Sequence, residues 1–226
     1  YSKTGCNLLV DRADVAQLLN VMIQSTGSWY FDESGNVNIA NNENLDKVFT
    51  VYKELVDNNI VALYNDSHGY NNALWSGTTA GVCQGCWVMS TIKKGEDQSG
   101  NWALTNIPKV DGIDSATNYS NNGGGSWMVI NKENAAVAKE FLAETFAGSV
   151  ELYNEILPET SAIATYLPAR EAENYGLGDD FFGGQTVYPT IMSYAHEVPQ
   201  INYGLYRSAA YTAIATAMTT VFGGAY

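Results

Sequence analysis

The stretch from Leu74 to Trp87 constrains the fold most, because glycines interrupt its apolar run at two defined points. Its residue order predicts the end of a helix, a turn at Gly77 and a short strand over 79–84. Gly85 ends this strand just before Trp87, so the indole should lie at the carboxyl edge of a sheet, where open α/β folds collect ligands. Because tryptophan has a flat π-face and one N–H donor, Trp87 would suit an amphipathic ligand such as a sugar. The alternative interpretation is that Trp87 is a core residue.

The charge balance narrows the choice of ligand. Eleven lysines and arginines stand against 24 aspartates and glutamates, which gives a formal charge of −13. A chain of this charge repels nucleic acid and anionic membrane surfaces. We therefore expect no nucleic-acid partner and favour a neutral or cationic ligand. The hydrophobic fraction of 46% in 226 residues predicts a folded globular protein of one or two domains.

The first residues and the hydropathy pattern bear on location. No uninterrupted apolar run approaches the roughly 18 residues of a membrane span. The chain begins Tyr-Ser-Lys-Thr-Gly, with neither an initiating methionine nor the pattern of a signal peptide. We therefore expect Tyr1 to lie inside a longer protein.

The three cysteines allow several kinds of site. Cys83 and Cys86 have the C-x-x-C spacing of a redox pair or of half a metal site. A redox pair usually opens a helix, whereas this one is predicted to end a strand. Cys6, His68 and His196 are scattered singly, so they do not complete a set of four zinc ligands. We expect no metal and no cofactor; buried thiols and one structural disulfide remain the alternatives.

Hydrophobic periodicity and turn residues predict a mixture of short strands and longer helices, which is an α/β fold. Strands or extended segments are predicted at 7–10, 37–39, 79–84, 102–107, 127–130 and 162–166, and helices at 15–24, 43–57, 71–75, 133–147, 150–157, 186–196 and 205–221. The clearest helix is 43–57, which has an apolar stripe and Asn42 as its N-cap. Asn131 is expected to cap helix 133–147, Pro158 to stop helix 150–157 and Gly223-Gly224 to end the last helix.

Four segments, in the same order along the chain, resemble those of a known family. They are Gly35 to Ile39 with the helix ending Glu54-Leu-Val-Asp57, Trp75 to Trp87, Gly124 to Ile130 with the helix over 135–142, and Leu167-Pro168-Ala169. Phe181 to Gln185 and Val198-Pro199 add a weaker similarity. The pattern resembles the carbohydrate group (family 1, maltose-binding-protein-like) of the extracellular solute-binding proteins of ABC transporters. Cys86 stands where the family usually has proline, and Val82 where it has methionine.

The resemblance implies a two-lobed, periplasmic-binding-protein-like (type II) fold, represented here mainly by its C-terminal lobe. It divides the chain into three segments. Residues 1–105 would form the first part of the C-terminal lobe, residues 106–162 would belong to the N-terminal lobe, and residues 163–226 would return to the C-terminal lobe. Residues 110–160 should then pack apart from the remainder, with the extended segments 102–107 and 162–166 crossing side by side.

The function implied by the resemblance is binding of a sugar or oligosaccharide in a cleft between the lobes, by aromatic stacking and hydrogen bonds. The partners would be the sugar and the membrane permease subunits of an ABC importer. The protein would be a monomer, either periplasmic or an extracellular lipoprotein at the cell surface. The candidate ligand-binding residues are Trp87, Gly124, Gly125, Tyr203, Tyr206 and Asp11. For Asp11 the alternative is a solvated loop, for Gly124 and Gly125 a flexible loop, and for Tyr203 and Tyr206 a surface or core position.

Two other functions remain as alternatives. A glycoside hydrolase would need two carboxylates about 5–10 Å apart, which 24 acidic residues do not exclude. A peptide- or ion-binding member of the same superfamily would share the fold. No serine-protease, zinc-protease or nucleotide-binding motif is present in the sequence, so we expect a binding protein and not an enzyme.

Overall fold

A two-stranded parallel sheet lies at the centre of the computed structural model, which describes residues 5–130 and 132–222. Strand β1 (Leu9–Arg12) pairs with β2 (Val61–Tyr64), and Val10 is opposite Ala62. The chain between the strands forms helices α1 (Gln17–Ser25) and α2 (Glu43–Asp57). A crossover of this kind is what parallel pairing requires.

The observed bounds of α2 match the prediction because its ends are well defined. The Asn42 side chain accepts a hydrogen bond from the Leu45 N–H at 3.0 Å and so caps the first turn. Leu45, Val48 and Tyr52 are buried along one face of the helix. Helix α1 is followed by Gly27 at a φ of +74°, the left-handed conformation expected just past a helix end.

The remaining helices confirm most of the predicted positions with shifted bounds. They are α3 (Ser67–Trp75), α4 (Val88–Ile92), α5 (Ala135–Glu144), α6 (Val150–Thr160), α7 (Glu173–Gly176), α8 (Val187–Tyr194) and α9 (Arg207–Phe222). Short 3-10 turns occur at Ala13–Val15, Glu96–Gln98, Leu167–Glu171 and Asp180–Phe182. The predicted caps at Asn131 and at Gly223-Gly224 lie outside the described residues. Within those residues, no helix is both long and apolar enough to cross a membrane.

The expectation that Pro158 stops α6 is wrong. Proline removes the N–H that would bond to the carbonyl four residues earlier, which is that of Asn154. In the structure the Asn174 side chain donates to this Asn154 carbonyl at 2.7 Å. The helix therefore continues to Thr160, because a side chain from α7 satisfies the carbonyl that the proline leaves unpaired.

Most of the other predicted strands are not strands. The segment 79–84 has only one bridge, between Thr79 and Asn7, and 37–39 has only the bridge of Val37 to Phe31. Neither 102–107 nor 127–130 belongs to a ladder. At Leu104 the backbone N–H and carbonyl both bond to the Gln185 side chain, at 2.8 and 2.9 Å. The Gln185 side chain thus makes the hydrogen bonds to Leu104 that a neighbouring strand would otherwise provide.

Two hydrophobic cores lie on opposite faces of the sheet. The first, against α1, α2 and α9, includes Leu19, Ile23, Tyr30, Val48, Tyr52, Val61, Leu63, Ile113, Met218 and Phe222. The second, against α3, α4, α6 and α8, includes Val10, Ala62, Leu74, Met89, Tyr153, Leu157, Tyr175 and Val187. Val61 and Leu63 face the first core and Ala62 the second, which is the alternation of a strand buried on both sides.

These cores do not follow the three predicted segments 1–105, 106–162 and 163–226. Ile113 packs into the first core and Leu157 into the second, although both belong to the middle segment. Helix α5 buries no residue, and its Val137 and Phe141 are exposed. Within the middle segment, α5 is therefore the helix that packs into neither core. The division into three segments stays a prediction.

Candidate functional site

Trp87 lies at the start of α4 and is accessible. The predicted strand 79–84 is irregular chain, and two turns follow it, in which Val88 N–H donates to the Gly85 carbonyl and Met89 N–H to the Cys86 carbonyl, both at 3.1 Å. The side chain of Trp87 is 39% exposed, whereas a core tryptophan of this protein, Trp29, is 3% exposed. The indole therefore offers part of its surface to a ligand.

The position of the indole depends on two glycines. A Cβ atom on residue 85 would lie 2.6 Å from Trp87 Nε1 and 2.5 Å from the Asn122 carbonyl oxygen. A Cβ atom on Gly123 would lie 3.3 Å from the same Nε1. The nitrogen-bearing edge of the ring thus packs on backbone, at distances that leave no room for a side chain at position 85.

The segment 120–125, which we name the glycine loop, connects this tryptophan to a second aromatic residue. On one side, the Asn122 side chain donates to Gln84 Oε1, which also accepts from the Gly85 N–H at 3.0 Å. On the other side, Asn121 Nδ2 donates to Tyr203 Oη at 3.3 Å. Two consecutive asparagines therefore hold the loop between Trp87 and Tyr203.

Gly124 and Gly125 form the open part of the glycine loop. Gly124 has a φ of +92°, which favours glycine, and a Cβ atom on either residue would meet nothing within 4 Å. Their backbone groups are thus exposed beside the segment that contacts Trp87. Their predicted contact with the ligand stays a prediction.

Tyr203 is held by aromatic contacts and by a cation. Its ring lies edge-on to Trp29, with centroids 5.6 Å apart and planes at 77°. The guanidinium carbon of Arg207 lies 4.3 Å from its ring centroid, a cation–π contact. Gly204 has a φ of +68°, and a Cβ atom there would lie 2.5 Å from Phe31 Cγ, so only glycine allows this approach. Tyr203 is thereby fixed with its hydroxyl at the glycine loop.

Tyr206, the other tyrosine predicted beside Gly204, is 70% exposed just before α9. Its carbonyl accepts the Ala210 N–H at 3.0 Å. The structure thus gives it a backbone role at the start of the helix. A ligand contact by its side chain remains a prediction.

The structure corrects the expectation for Asp11. The residue lies within β1 and is 2% exposed, so it belongs to neither a solvated loop nor an accessible site. One carboxylate oxygen accepts from the Leu18 N–H at 3.1 Å and the other from Tyr52 Oη at 2.8 Å. Burial raises the pKa of Asp11 from 3.8 to about 7, partly opposed by these two hydrogen bonds. Asp11 therefore links β1 to α1 and α2.

The two thiols of the C-x-x-C pair are partly buried, and this burial changes their acidity. Cys83 and Cys86 are both free thiols and are partly buried. Burial raises the pKa of Cys83 to about 11, with a further contribution from Asp11, and also raises the pKa of Cys86. Thiols of this kind are poor nucleophiles at neutral pH. Across 5–130 and 132–222, no cluster of three His, Cys, Asp or Glu side chains is placed to hold a metal ion.

Four residues of this region were missed by the sequence analysis: Gln84, Asn121, Asn122 and Arg207. The only local signal was the pair of amides directly before the glycines at 123–125. Their partners are far away in sequence, since Asn121 and Tyr203 are 82 residues apart. Spacing along the chain does not report contacts of this kind.

Comparison with known proteins places the fold among binding proteins. The family model described as "Bacterial extracellular solute-binding protein" matches residues 4–173. The lactose-binding protein of Rhizobium radiobacter is 38% identical over 214 residues, which cover 94% of this chain and 50% of that protein.

Among solved structures, the GacH receptor of Streptomyces glaucescens GLA.O matches with a TM-score of 0.71 at 17% identity, over 99% of this chain and 55% of that one. That receptor was determined unliganded and in complex with acarbose and an acarbose homolog. The match confirms the predicted α/β, periplasmic-binding-protein-like fold. The chain spans about half the length of each of these two proteins.

Proposed function

Because the chain belongs to the bacterial extracellular solute-binding protein family, we propose that it binds a sugar or oligosaccharide for an ABC importer. The partners in this proposal are the sugar and the permease subunits in the membrane. The location is extracellular, either periplasmic or on the cell surface as a lipoprotein, in line with the family's description. The lactose-binding relative supports a sugar over a peptide or an ion as the ligand class.

The observation that carries the proposal is the half-exposed indole of Trp87 beside the glycine loop. Sugar rings present apolar C–H faces that stack on aromatic rings, and burial of such a surface stabilises a complex by about 1–3 kcal/mol. The Trp87 edge is fixed by Gly85 and Gly123, so the ring is preorganised before the ligand arrives.

Hydrogen bonds to the sugar hydroxyls would come from the same loop. Asn121 and Tyr203 already form a polar pair at one end of it, and Gly124 and Gly125 expose backbone N–H and carbonyl groups. Sugar hydroxyls both donate and accept, so they match amide, phenol and backbone groups. In the two-lobed proposal, the glycine loop belongs to the segment 106–162 and Trp87 and Tyr203 to the other segments. The ligand would then lie where these segments meet, and lobe closure would complete the site.

The relatives support a role without catalysis, since those named above are described by the ligands they bind. The glycoside hydrolase alternative has no supporting observation in the described part of the chain. A panel of chromogenic glycosides tests it, and we expect no turnover. Hydrolysis that is lost when one carboxylate is replaced would establish an enzyme instead.

Titration calorimetry with lactose tests the proposal directly. It should be performed on the longest native protein that carries this sequence, with a dipeptide and a divalent cation as comparison ligands. We expect saturable binding of the sugar and none of the comparison ligands. Binding of the peptide or the cation, and not of the sugar, would contradict the proposed ligand class.

A further inference from the structure

Arg207 is a cation close to the proposed sugar site, and no residue in the described part of the chain forms a salt bridge with it. Its guanidinium lies 4.3 Å from the ring centroid of Tyr203 and 5.2 Å from that of Tyr211. Arg207 is also hydrogen-bonded to the Tyr211 side chain. A guanidinium has five N–H donors, so others remain to donate to a ligand. Arg207 is the first residue of α9.

The absence of a salt bridge distinguishes Arg207 from several other cations. Arg12 pairs with Asp14, Lys53 with Asp57 and Lys93 with Asp179. Over residues 5–130 and 132–222, no carboxylate lies within the salt-bridge distance of 4.0 Å from Arg207. Other cations of the described residues, among them Lys47 and Arg170, also lack a salt bridge, so Arg207 differs from them in its two aromatic contacts. An arginine that is half-buried, oriented by two aromatic rings and unpaired is suited to receive an external carboxylate.

A continuous set of contacts connects Arg207 to the stacking residue. Arg207 packs on Tyr203, whose hydroxyl accepts from Asn121. Two residues further along the loop, Gly123 contacts the Trp87 indole. Two residues of extended chain span at most about 7 Å. The guanidinium and the indole are therefore connected through one side chain and three residues of the glycine loop, which limits their separation to a length that a short oligosaccharide can span.

We propose that the site prefers an acidic oligosaccharide, one with a uronic acid residue whose carboxylate is bound by Arg207 while a neighbouring sugar ring stacks on Trp87. This inference rests on the proposed sugar-binding function and narrows its substrate class. It also revises the expectation of a neutral or cationic ligand, which came from the net charge of −13. Exposed charges are screened beyond about 8 Å at physiological salt, so a carboxylate bound by Arg207 would interact mainly with that cation and not with the net charge of the whole chain.

The test compares two disaccharides that differ only in charge: lactose, and the same disaccharide with its galactose oxidised at C6 to galacturonate. Calorimetry on the longest native protein with this sequence should show tighter binding of the acidic sugar, by roughly 10-fold or more. The preference should shrink as salt is raised, because a charge pair at a partly exposed site is screened.

Variants at Arg207 separate recognition from structural support. Arg207→Gln removes the charge and should reduce the ratio of acidic to neutral affinity to about one, whereas Arg207→Lys should retain part of it. Lys53→Gln, which removes an equal charge from the exposed face of α2, should leave the ratio unchanged. Melting temperatures of all three variants show whether each is folded.

Each outcome decides the question. Equal or weaker binding of the acidic sugar, or an unchanged ratio in a folded Arg207→Gln variant, overturns this inference alone. A loss of both affinities by the same factor would show that Arg207 only supports Tyr203, and it also overturns the inference. Binding of neither sugar overturns the proposed function and this inference with it.

Discussion

A Cβ atom on residue 85 would lie 2.6 Å from Trp87 Nε1, so the indole occupies its position only because residue 85 is glycine. The same Cβ atom would meet the Asn122 carbonyl oxygen at 2.5 Å. Gly85 is therefore the point at which the glycine loop and the start of α4 approach each other. The backbone φ of Gly85 is not in the left-handed region, so this is a requirement for space and not for conformation.

Gly85→Ala should push the Trp87 ring and the glycine loop apart. Real Cβ atoms essentially never approach other atoms this closely, so one of the two neighbours must move. We expect sugar affinity to fall by roughly 5- to 10-fold, measured by calorimetry. Gly176→Ala is the matched control, because its Cβ atom would meet nothing within 4 Å. Equal affinities of the Gly85→Ala variant and the wild type would show that the position of the indole is irrelevant to binding.

Asp11 should make stability depend on pH in the direction opposite to that of most acidic residues. Its folded pKa of about 7 lies above the ordinary value of 3.8, so the folded state holds a proton that the unfolded state releases between these two pH values. The free energy of unfolding contributed by this group is therefore largest below about pH 4 and declines as pH rises to about 7, by roughly 2–4 kcal/mol. Urea denaturation at a series of pH values measures this decline.

Asp11→Asn provides the control for that titration. The amide keeps an oxygen for the Leu18 N–H but carries no charge at any pH. Its stability should therefore lack the decline between about pH 4 and 7 that the wild type shows. If the variant and the wild type have parallel pH profiles, Asp11 does not titrate in this range.

Asn174→Ala should destabilise the protein by about 1 kcal/mol, because the Asn154 carbonyl loses its donor. In the Pro158→Ala background the new N–H of residue 158 can bond to the same carbonyl within the helix. The effect of Asn174→Ala should then be smaller, and a double-mutant cycle by chemical denaturation measures the difference. Additive effects of the two substitutions would mean that Asn174 does not compensate for the proline.

Local sequence signals predicted the helices better than the strands. The bounds of α2 were predicted correctly because Asn42 caps it and its apolar residues recur along one face. Strand β2 was missed, since it is four residues long and follows directly after the residues that end α2. The strand predicted at 79–84 failed because only Thr79 finds a partner. Whether a segment forms a strand depends on the neighbouring strand with which it pairs, and that neighbour is usually distant in sequence.

The site was only partly predictable for the same reason. Trp87 was identified from its place two residues after Gly85, a signal that is local in sequence. Asp11 was misplaced because its partner Tyr52 is 41 residues away, and a carboxylate is usually exposed unless such a partner is present. The contact of Asn121 with Tyr203 joins residues 82 positions apart, and no local pattern in the sequence predicts it.

The most direct test of the central claim, that Trp87 binds sugar, is to measure affinity and stability together in the Trp87→Ala variant. Phe141→Ala, which removes an exposed aromatic residue from α5, is the control for a general loss of apolar surface. We predict that Trp87→Ala lowers sugar affinity by roughly 10-fold or more in calorimetry, since about 1.4 kcal/mol corresponds to one decade. Its melting temperature should stay close to that of the wild type, because the ring is partly exposed. A variant that binds sugar normally but loses about 3–5 kcal/mol of stability, as expected for a core aromatic residue, would contradict the claim.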